Sequence, residues 1–369
     1  MRICFIGCLE LNHFQRMIKW FAARGHDVHV VTYDSYIPDH YEIPNVTVHG
    51  VPVTFSPLLK FLPNKSLWGK IWTVKKIIKP ISPDIVHGYF LTEFGFYTAF
   101  SGDYPKLLTM TGSDVYINWK KSKIIKFLNK ISLKKIDVVI SLSDNMTKEL
   151  INTFNVNKNN IITRPEGVNL NVFNMSVRQN ENNNNYIIST RNLKPVYNIE
   201  LLINAIPYIL REIPDIKIVV TGDGPLKQKL IDMAHKLNLD DNVEFKGTIE
   251  HDKIPSLLGS SDIYVSTSLS DGASISLFEA MACGCFPVVT DIPANRDWIE
   301  NGKNGFLVPI DDPRDLAKKI VMAINNRNLR TEAKKINWDI IKNNTDIEKN
   351  MIMIEELYFQ LSKISLKYE

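Results

Sequence analysis

Residues 271–290 read DGASISLFEAMACGCFPVVT and place two carboxylates, Asp271 and Glu279, eight positions apart around a run of small residues. The apolar segment DIYVSTS precedes this stretch, and the stretch itself ends in the apolar FPVVT. This order predicts a strand, a loop at its carboxyl end, a helix that begins near residues 274–276, and a second strand. Because the residues before the helix are small, the unpaired N–H groups of its first turn can approach an anion such as a diphosphate closely.

The two carboxylates suit a ligand with hydroxyl groups on both sides of a diphosphate. Asp271 lies in the loop and Glu279 lies about one turn into the helix, so both can face the same ligand. Either residue alone is more simply explained as a helix cap or a solvated side chain. Their combination with a glycine-containing loop and an alanine-rich helix favours a site for a sugar–diphosphate–ribose ligand.

The same alternation of strand and helix extends outward in both directions. Strand-like segments in the first half are RICFIG, VHVVTY, PDIVHGY, KLLTMT, DVVISLS and NIITRP, and those in the second half are YIISTR, IKIVVTG, VEFKG, DIYVSTS, FPVVT and FLVP. Strands that alternate with helices predict parallel sheets covered on both faces. We therefore predict an α/β protein with two Rossmann-like, doubly wound parallel-sheet domains facing a central cleft, where ligands of such folds bind.

The polar, asparagine-rich run VRQNENNNN, residues 177–185, cannot build a core and separates the two series. We predict a first domain over residues 1–170, a linker over 171–185 and a second domain over 186–345. A last helix over about 346–369 is expected to pack back on the first domain.

Several other classes of protein are disfavoured by absent motifs. Neither half has the three-glycine dinucleotide signature or a P-loop, although Gly222 lies in the sequence GDGP after a predicted strand. The four cysteines lack CxxC spacing, which favours reduced thiols in the cytoplasm. The first residues do not resemble a signal peptide, and no apolar run reaches the roughly 18 residues that a membrane span needs.

The charge is unevenly distributed. Residues 1–170 hold 21 Lys/Arg and 13 Asp/Glu, a net charge of +8, whereas the rest of the chain carries −4. The lysines alternate with aromatic and aliphatic residues in segments 65–80 and 118–137, which include Trp68, Trp72, Trp119 and Phe127. Two interpretations stay open: an amphipathic helix packed on the sheet, or an anionic membrane surface bound through Lys120–Lys135. The charge favours the second slightly.

Ordered segments along nearly the whole chain carry a resemblance to a known family. They are RGHDVHVVT, PDIVHGY, ISLSDNMTKELI, RPEGVNLNVF, GDGPL, FKG, EAMACGCFPVV and DIPANRDWIENGKNGFLVP. Together with the D-x7-E spacing of Asp271 and Glu279, they resemble the retaining glycosyltransferases of family 4, which have the GT-B fold and an E-x7-E motif.

This resemblance implies metal-independent transfer of a sugar from a nucleotide-diphosphate sugar, a UDP-sugar in preference to a GDP-sugar, with retained configuration. Glu279 would bind the ribose hydroxyls, Asp271 would hold the donor sugar, and Arg191 would neutralise the diphosphate. The remaining donor-binding residues would be Gly272, Ala273, Ser274, Ile275 and Ser276 at the sugar and diphosphate, Lys246, Gly247 and Thr248 at the nucleobase, and Gly222. No DxD motif is present, and no metal is expected, because side chains and a helix neutralise the diphosphate in this fold. No cofactor is expected either, because the nucleotide-sugar is a substrate.

The sequence departs from the family pattern at three positions. The usual lysine falls on Tyr197–Asn198, so Lys194 is the candidate replacement. A common histidine is replaced by Thr111, and Asp114 lies three residues later. The contact that an imidazole makes to the donor sugar is then either absent or made by Thr111 or Asp114. Asp271 stands where the family motif has a glutamate, so its side chain is one methylene shorter. The predicted catalytic residues are thus Asp271, Arg191, Lys194 and Asp114, with Tyr197 and Thr111 as donor contacts.

We expect the acceptor to be a saccharide or lipid-linked molecule in surface polysaccharide or glycolipid biosynthesis of the cell envelope. The protein is expected to be cytoplasmic, peripheral on the inner face of the membrane, and without a nucleic-acid partner. Two alternatives stay open: a sugar-nucleotide epimerase or phosphorylase on the same fold, and a non-catalytic homologue that serves within a larger enzyme.

Overall fold

The computed structural model describes residues 1–38, 41–52, 63–116, 122–178 and 186–365. Within these ranges the chain divides into two compact units. The first contains residues 1–165 together with 349–369, and the second contains residues 166–348. Each unit has its own parallel sheet and its own hydrophobic core, so each is described separately.

The first unit is built on a seven-stranded sheet in the order β3-β2-β1-β4-β5-β6-β7, in which every pair of neighbours is parallel. Its strands are β1 Arg2–Ile6, β2 Asp27–Tyr33, β3 Val46–Val51, β4 Ile85–Tyr89, β5 Lys106–Thr109, β6 Val138–Ser141 and β7 Ile161–Thr163. The pattern of apolar residues predicts all of these strands except β3. That strand lies at the sheet edge and is mostly half-buried, so its sequence lacks the continuous apolar run of the central strands.

Helices connect these strands in the first unit. They are α1 Asn12–Ala23, α2 Pro63–Ile81, α3 Glu93–Ala99, α4 Ser113–Tyr116, α5 Lys123–Leu133 and α6 Asp144–Phe154. The apolar residues of α1 recur at helical spacing, and four of them, Phe14, Met17, Ile18 and Phe21, are buried. Burial of one helical face against the sheet stabilises each connection, because a short helix is marginal without tertiary packing.

The second unit has a six-stranded parallel sheet in the order β10-β9-β8-β11-β12-β13. Its strands are β8 Tyr186–Ser189, β9 Lys217–Thr221, β10 Val243–Gly247, β11 Ile263–Ser266, β12 Phe286–Thr290 and β13 Phe306–Val308. Its helices are α7 Ile199–Leu210, α8 Lys227–Lys236, α9 Ile254–Gly259, α10 Ile275–Ala282, α11 Pro293–Arg296, α12 Pro313–Asn325 and α13 Arg327–Asn344. The strand order changes direction between β8 and β11, and the carboxyl ends of strands at such a point commonly form a ligand site. The predicted α/β class with two Rossmann-like sheets is confirmed.

The division of the chain differs in detail from the predicted domain limits. Residues 166–178 belong to the second unit, although the sequence predicts that residues up to 170 belong to the first domain and that a linker covers 171–185. The reason is Phe173, whose ring is fully buried in a core cluster of the second unit. Residues 179–185, the asparagine-rich part of the predicted linker, lie outside the described residues.

The last helix, α14 Ile347–Ser365, groups with the first unit from Lys349 onward. Tyr358 is fully buried there, and its hydroxyl contacts His87 Nδ1. The carboxylate of Glu355 also pairs with Arg24, through two N–O distances of 2.8 Å. These contacts anchor the end of the chain to the sheet of the first unit.

Candidate active site

The loop between β11 and α10 carries the first of the two predicted carboxylates. Helix α10 begins at Ile275, inside the predicted range, and the hydroxyl of Ser274 caps it by accepting the backbone N–H of Leu277 at 3.4 Å. Asp271 lies three residues before this cap, and its carboxylate also accepts the N–H of Gly272 at 3.0 Å. The first turn of α10 and the Asp271 carboxylate therefore lie side by side at the carboxyl end of β11.

Arg191 joins this loop from a distant part of the sequence. It follows β8, which pairs directly with β11, so the two carboxyl ends are neighbours. Its Nη2 donates to Asp271 Oδ2 at 2.5 Å, and its Nη1 donates to the hydroxyls of Ser274 and Ser276, each at 2.8 Å. The predicted residues Arg191, Asp271, Ser274 and Ser276 are thus brought together in one cluster.

Two tyrosines complete the surroundings of Arg191. The ring of Tyr197 lies 4.2 Å from the guanidinium carbon, and the buried hydroxyl of Tyr264 lies 2.9 Å from the hydroxyl of Ser276. Burial alone would lower the pKa of Arg191, but the Asp271 carboxylate, together with Tyr264 and Tyr197, more than compensates, so the pKa is raised. Arg191 is therefore held as a buried cation with a single carboxylate partner among the described residues.

Three buried polar atoms at this point have no hydrogen-bond partner in the described part of the chain. They are Arg191 Nε, Ser189 Oγ and Thr190 Oγ1. Buried polar atoms in proteins are nearly always paired, and unpaired ones raise the free energy of the folded state. An anionic ligand that reaches Arg191 Nε would satisfy this unused donor.

Glu279 lies on the same helix α10 but has a different partner. Its side chain is only 7% exposed, and its Oε1 lies 2.8 Å from His251 Nε2. A carboxylate oxygen can only accept, so His251 donates this hydrogen bond. His251 was not predicted from the sequence, because a lone histidine in a loop carries no motif.

The residues predicted near the nucleobase, Lys246, Gly247 and Thr248, lie at the carboxyl end of β10, and Gly222 lies at the carboxyl end of the neighbouring β9. The backbone N–H of Gly222 donates to the carbonyl of Gly247 at 2.7 Å. Gly222 has a φ of +97°, and a Cβ there would lie 2.7 Å from the carbonyl oxygen of Arg191, so glycine is required. The Lys246 ammonium pairs with Glu244 at 2.6 Å, and Thr248 is exposed.

Lys194 and Tyr197 are the two candidates for the position of the family's lysine. The side chain of Lys194 is exposed and makes no hydrogen bond or ion pair with any other described residue. Tyr197 instead contacts Arg191, because the 3-10 turn Pro195–Tyr197 brings its ring back toward the end of β8. The role of Lys194 toward the donor diphosphate stays a prediction.

Asp114 in the first unit has a structural role that the sequence did not predict. It is fully buried, and its carboxylate accepts backbone N–H groups of Leu91, Thr111, Gly112 and Val115. Burial raises the pKa of Asp114, and these four N–H groups oppose that rise. The carboxylate is occupied in holding the loop after β5, so this geometry does not support its prediction as a catalytic residue. Thr111 is half-buried and donates its N–H to that carboxylate.

Two histidines of the first unit, His87 and His13, lie among aromatic side chains. His87 is fully buried, with Nε2 2.8 Å from the hydroxyl of Thr109 and Nδ1 against Tyr358, and burial lowers its pKa to about 3. It therefore remains neutral at physiological pH and belongs to the core. His13 is half-buried, with its ring centroid 5.4 Å from that of Tyr89.

Neither a metal centre nor a membrane span is found in the part of the chain that the structure describes. Those residues contain no group of three or more His, Cys, Asp or Glu side chains that could hold a metal ion. None of their helices is both long enough and apolar enough to cross a membrane.

Comparison with family models places both units among enzymes that transfer sugars. Residues 2–143 match the model described as glycosyl transferase 4-like, and residues 173–337 match the model described as glycosyl transferases group 1. Two Rossmann-like units with these matches define the class of GT-B glycosyltransferases. The chain belongs to the family 4 type within that class, as its sequence resemblance predicted.

Full-length relatives agree with this assignment. An uncharacterized glycosyltransferase of Methanocaldococcus jannaschii is 27% identical, over 97% of this chain and 96% of its own length. One subunit of the phosphatidylinositol N-acetylglucosaminyltransferase of Arabidopsis thaliana is 25% identical, over 91% of this chain and 77% of its own length. The solved structure of Anabaena HepE in complex with UDP has a TM-score of 0.77 at 18% identity, over 98% of this chain and all of that one, which shows the shared fold.

Proposed function

We propose that this protein is a retaining glycosyltransferase that uses a nucleotide-diphosphate sugar, with a UDP-sugar favoured over a GDP-sugar. The observation that carries the proposal is the buried Arg191 at the carboxyl end of β8, surrounded by Asp271, two serine hydroxyls and unpaired polar atoms. A buried cation beside the first turn of a helix suits a diphosphate. The Anabaena structure with UDP supports the choice of nucleotide.

The residues around Arg191 suggest how a donor would be bound. In the structure, Asp271 neutralises the guanidinium. A diphosphate can replace that carboxylate as the partner of Arg191, together with the hydroxyls of Ser274 and Ser276 and the first-turn N–H groups of α10. Asp271 would then be released to accept hydroxyls of the donor sugar. Charge that develops on the departing diphosphate would be stabilised by the same cation, which is the main catalytic requirement.

The experiment that tests this function measures both donor binding and product stereochemistry. The purified chain is first screened by thermal shift against UDP- and GDP-sugars, because a ligand that binds the folded state raises the melting temperature. The preferred donor is then incubated with lipid-linked and saccharide acceptors, and the anomeric configuration of the product is read by NMR. Inversion of configuration would overturn the retaining assignment, and absence of any donor shift would overturn the whole proposal.

Metal removal is expected to leave the activity unchanged. Charge neutralisation on the diphosphate is assigned to Arg191 and to the N-terminus of α10, and neither needs an ion. Initial rates are measured after treatment with EDTA and again after Mg²⁺ or Mn²⁺ is added back. A loss of activity with EDTA that either ion restores would show that a metal carries the diphosphate.

The proposed acceptor is a saccharide or a lipid-linked molecule, approached through the basic surface of the first unit. Helix α5 exposes two large apolar side chains, Ile124 at 66% and Phe127 at 63%, next to the exposed Lys123. Exposed apolar side chains among lysines suit an anionic membrane surface. The Arabidopsis relative, whose name specifies a phosphatidylinositol acceptor, supports a lipid-linked substrate. Trp119, Lys120 and Lys121 of the predicted surface lie outside the described residues.

Charge reversal on α5 and just after it is expected to weaken binding to anionic vesicles. Each lysine near such a surface contributes about 1 kcal/mol, so the variant K123E/K134E should bind at least tenfold more weakly at low salt. The measurement is co-sedimentation with vesicles that contain anionic lipid, and neutral vesicles serve as the reference. The variant K236E/K335E, which changes the net charge equally at exposed sites of the second unit, should bind as the unmodified protein does. Equal binding to neutral and anionic vesicles would contradict the proposal.

A further inference from the structure

The partner of the buried carboxylate on α10 is a residue outside the segments that carry the family resemblance. His251 lies in the loop between β10 and α9, and its side chain is 55% exposed, whereas that of its partner Glu279 is 7% exposed. Within the described residues, His251 is the single side chain that hydrogen-bonds the Glu279 carboxylate. An exposed imidazole therefore hydrogen-bonds a nearly buried carboxylate.

The imidazole of His251 also packs against an aromatic side chain of the core. The ring centroid of Phe173 lies 5.0 Å from that of His251, with the rings tilted by 55°. Phe173 is fully buried and belongs to the same core cluster as Leu277 and Phe278 of α10. The histidine ring thus connects the segment before β8 to the carboxylate on α10, and contacts on two sides restrict its rotation.

We propose that His251 is a positioning residue that orients Glu279 to recognise the cis-diol of a ribose. This inference rests on the proposed function, in which Glu279 binds the ribose. Two hydroxyls on adjacent carbons bind a carboxylate best when both of its oxygens face them, so the plane of the carboxylate has to be set in advance. The N–H of His251 occupies one lone pair of Oε1, which fixes that plane and leaves acceptor capacity on both oxygens.

A second histidine–carboxylate pair in the same unit provides the contrast. His235 Nδ1 lies 2.8 Å from Asp240 Oδ2, and both side chains are exposed. The two pairs have the same hydrogen-bond length of 2.8 Å, but the side chain of Glu279 is 7% exposed and that of Asp240 is 63% exposed. An exposed pair of this kind contributes little, so its loss should leave nucleotide binding unchanged.

The test compares ligands with and without the diol on the full chain. Dissociation constants are measured by calorimetry for UDP, or GDP if guanine is preferred, and for the 2′,3′-dideoxy form of the same nucleotide. The variants are H251Q, whose amide nitrogen can reach Glu279 as Nε2 does, and H251N, whose shorter side chain cannot. The control variant is H235N.

The protein without substitutions should bind the ribonucleotide more tightly than its dideoxy form. In H251N, affinity for the ribonucleotide should fall about tenfold, as expected for loss of a hydrogen bond to a charged group, while affinity for the dideoxy form changes less than about twofold. H251Q should stay within about threefold of the unmodified protein for both ligands, and H235N should match it.

The outcomes separate this inference from the proposed function. If neither UDP nor GDP binds to the unmodified protein, the proposed function fails, and the role of His251 fails with it. If the unmodified protein prefers the diol and H251N keeps that preference, the positioning role is overturned while the proposed function stands. Equal losses in H251Q and H251N would also overturn it, because the donor nitrogen would then be irrelevant. If H251N loses affinity equally for the ribonucleotide and for its dideoxy form, the positioning role is overturned as well, since His251 would then have a purely structural role.

Discussion

Replacing Arg191 with methionine is expected to lower kcat/KM for sugar transfer by about a thousandfold. Removal of one preorganised donor at a developing negative charge typically costs a factor of about 10²–10³, and Arg191 is a full cation rather than a neutral donor. Methionine keeps much of the apolar volume of the arginine stem. The measurement is steady-state kinetics with the donor identified by the thermal-shift screen. A reduction of less than about tenfold would contradict the assignment of the diphosphate to this residue.

The same substitution disturbs the fold, and a second variant separates the two effects. The side chains of Arg191 and Asp271 are only 9% and 17% exposed, so loss of one leaves the other as an uncompensated charge. Breaking a buried pair in this way typically destabilises a protein by about 3–5 kcal/mol. R191M/D271N removes both charges and should recover most of the unfolding free energy in urea, while activity stays lost. Recovery of activity together with stability would mean that Arg191 acts only in folding.

Replacing Glu279 with glutamine is expected to reduce kcat/KM at least tenfold. The substitution keeps the shape of the side chain but removes the charge that strengthens hydrogen bonds to two ribose hydroxyls. It also weakens the hydrogen bond from His251, which now meets a neutral acceptor or an amide donor. The loss should appear mainly as a higher KM for the donor, since the ribose is distant from the reacting carbon.

A matched substitution controls for the general effect of removing a carboxylate. Glu300 is exposed and pairs with Lys303 at 2.8 Å on the surface of the second unit. E300Q should show unchanged kinetics, because no hydrogen bond or ion pair links Glu300 to Arg191 among the described residues. Its stability should change little as well, since an exposed ion pair contributes at most about 1 kcal/mol. Unchanged kinetics in E279Q as well would rule out the ribose assignment.

The order of strands and helices was largely predictable from the sequence. Central strands such as β1 and β12 are buried on both faces, so their residues form continuous apolar runs that stand out from the flanking helices. Helix α10 was also predictable, because small residues, a serine cap and helix-forming residues are all local signals. The edge strand β3 was missed because half-buried positions tolerate polar residues.

The candidate site was predictable where its residues belong to one local motif. Asp271, Ser274 and Glu279 lie within nine residues, and the geometry of a loop and one helix determines where they lie. The resemblance to a family added Arg191, which no local pattern could connect to them. Its roles in binding and catalysis remain predictions that the proposed variants test.

Only the tertiary structure decided which distant side chains meet. Arg191 and Asp271 are 80 residues apart, and they meet because β8 and β11 pair in parallel with Ile188 opposite Tyr264. A three-dimensional pairing of this kind has no trace in local periodicity, and the same is true of His251 and Glu279. The turn Pro195–Tyr197 brings the ring of Tyr197 to Arg191. In the first unit, four backbone N–H groups donate hydrogen bonds to the carboxylate of Asp114. Local residue patterns determined the elements, whereas packing determined the partner of each charge, because burial makes an unpaired charge unfavourable.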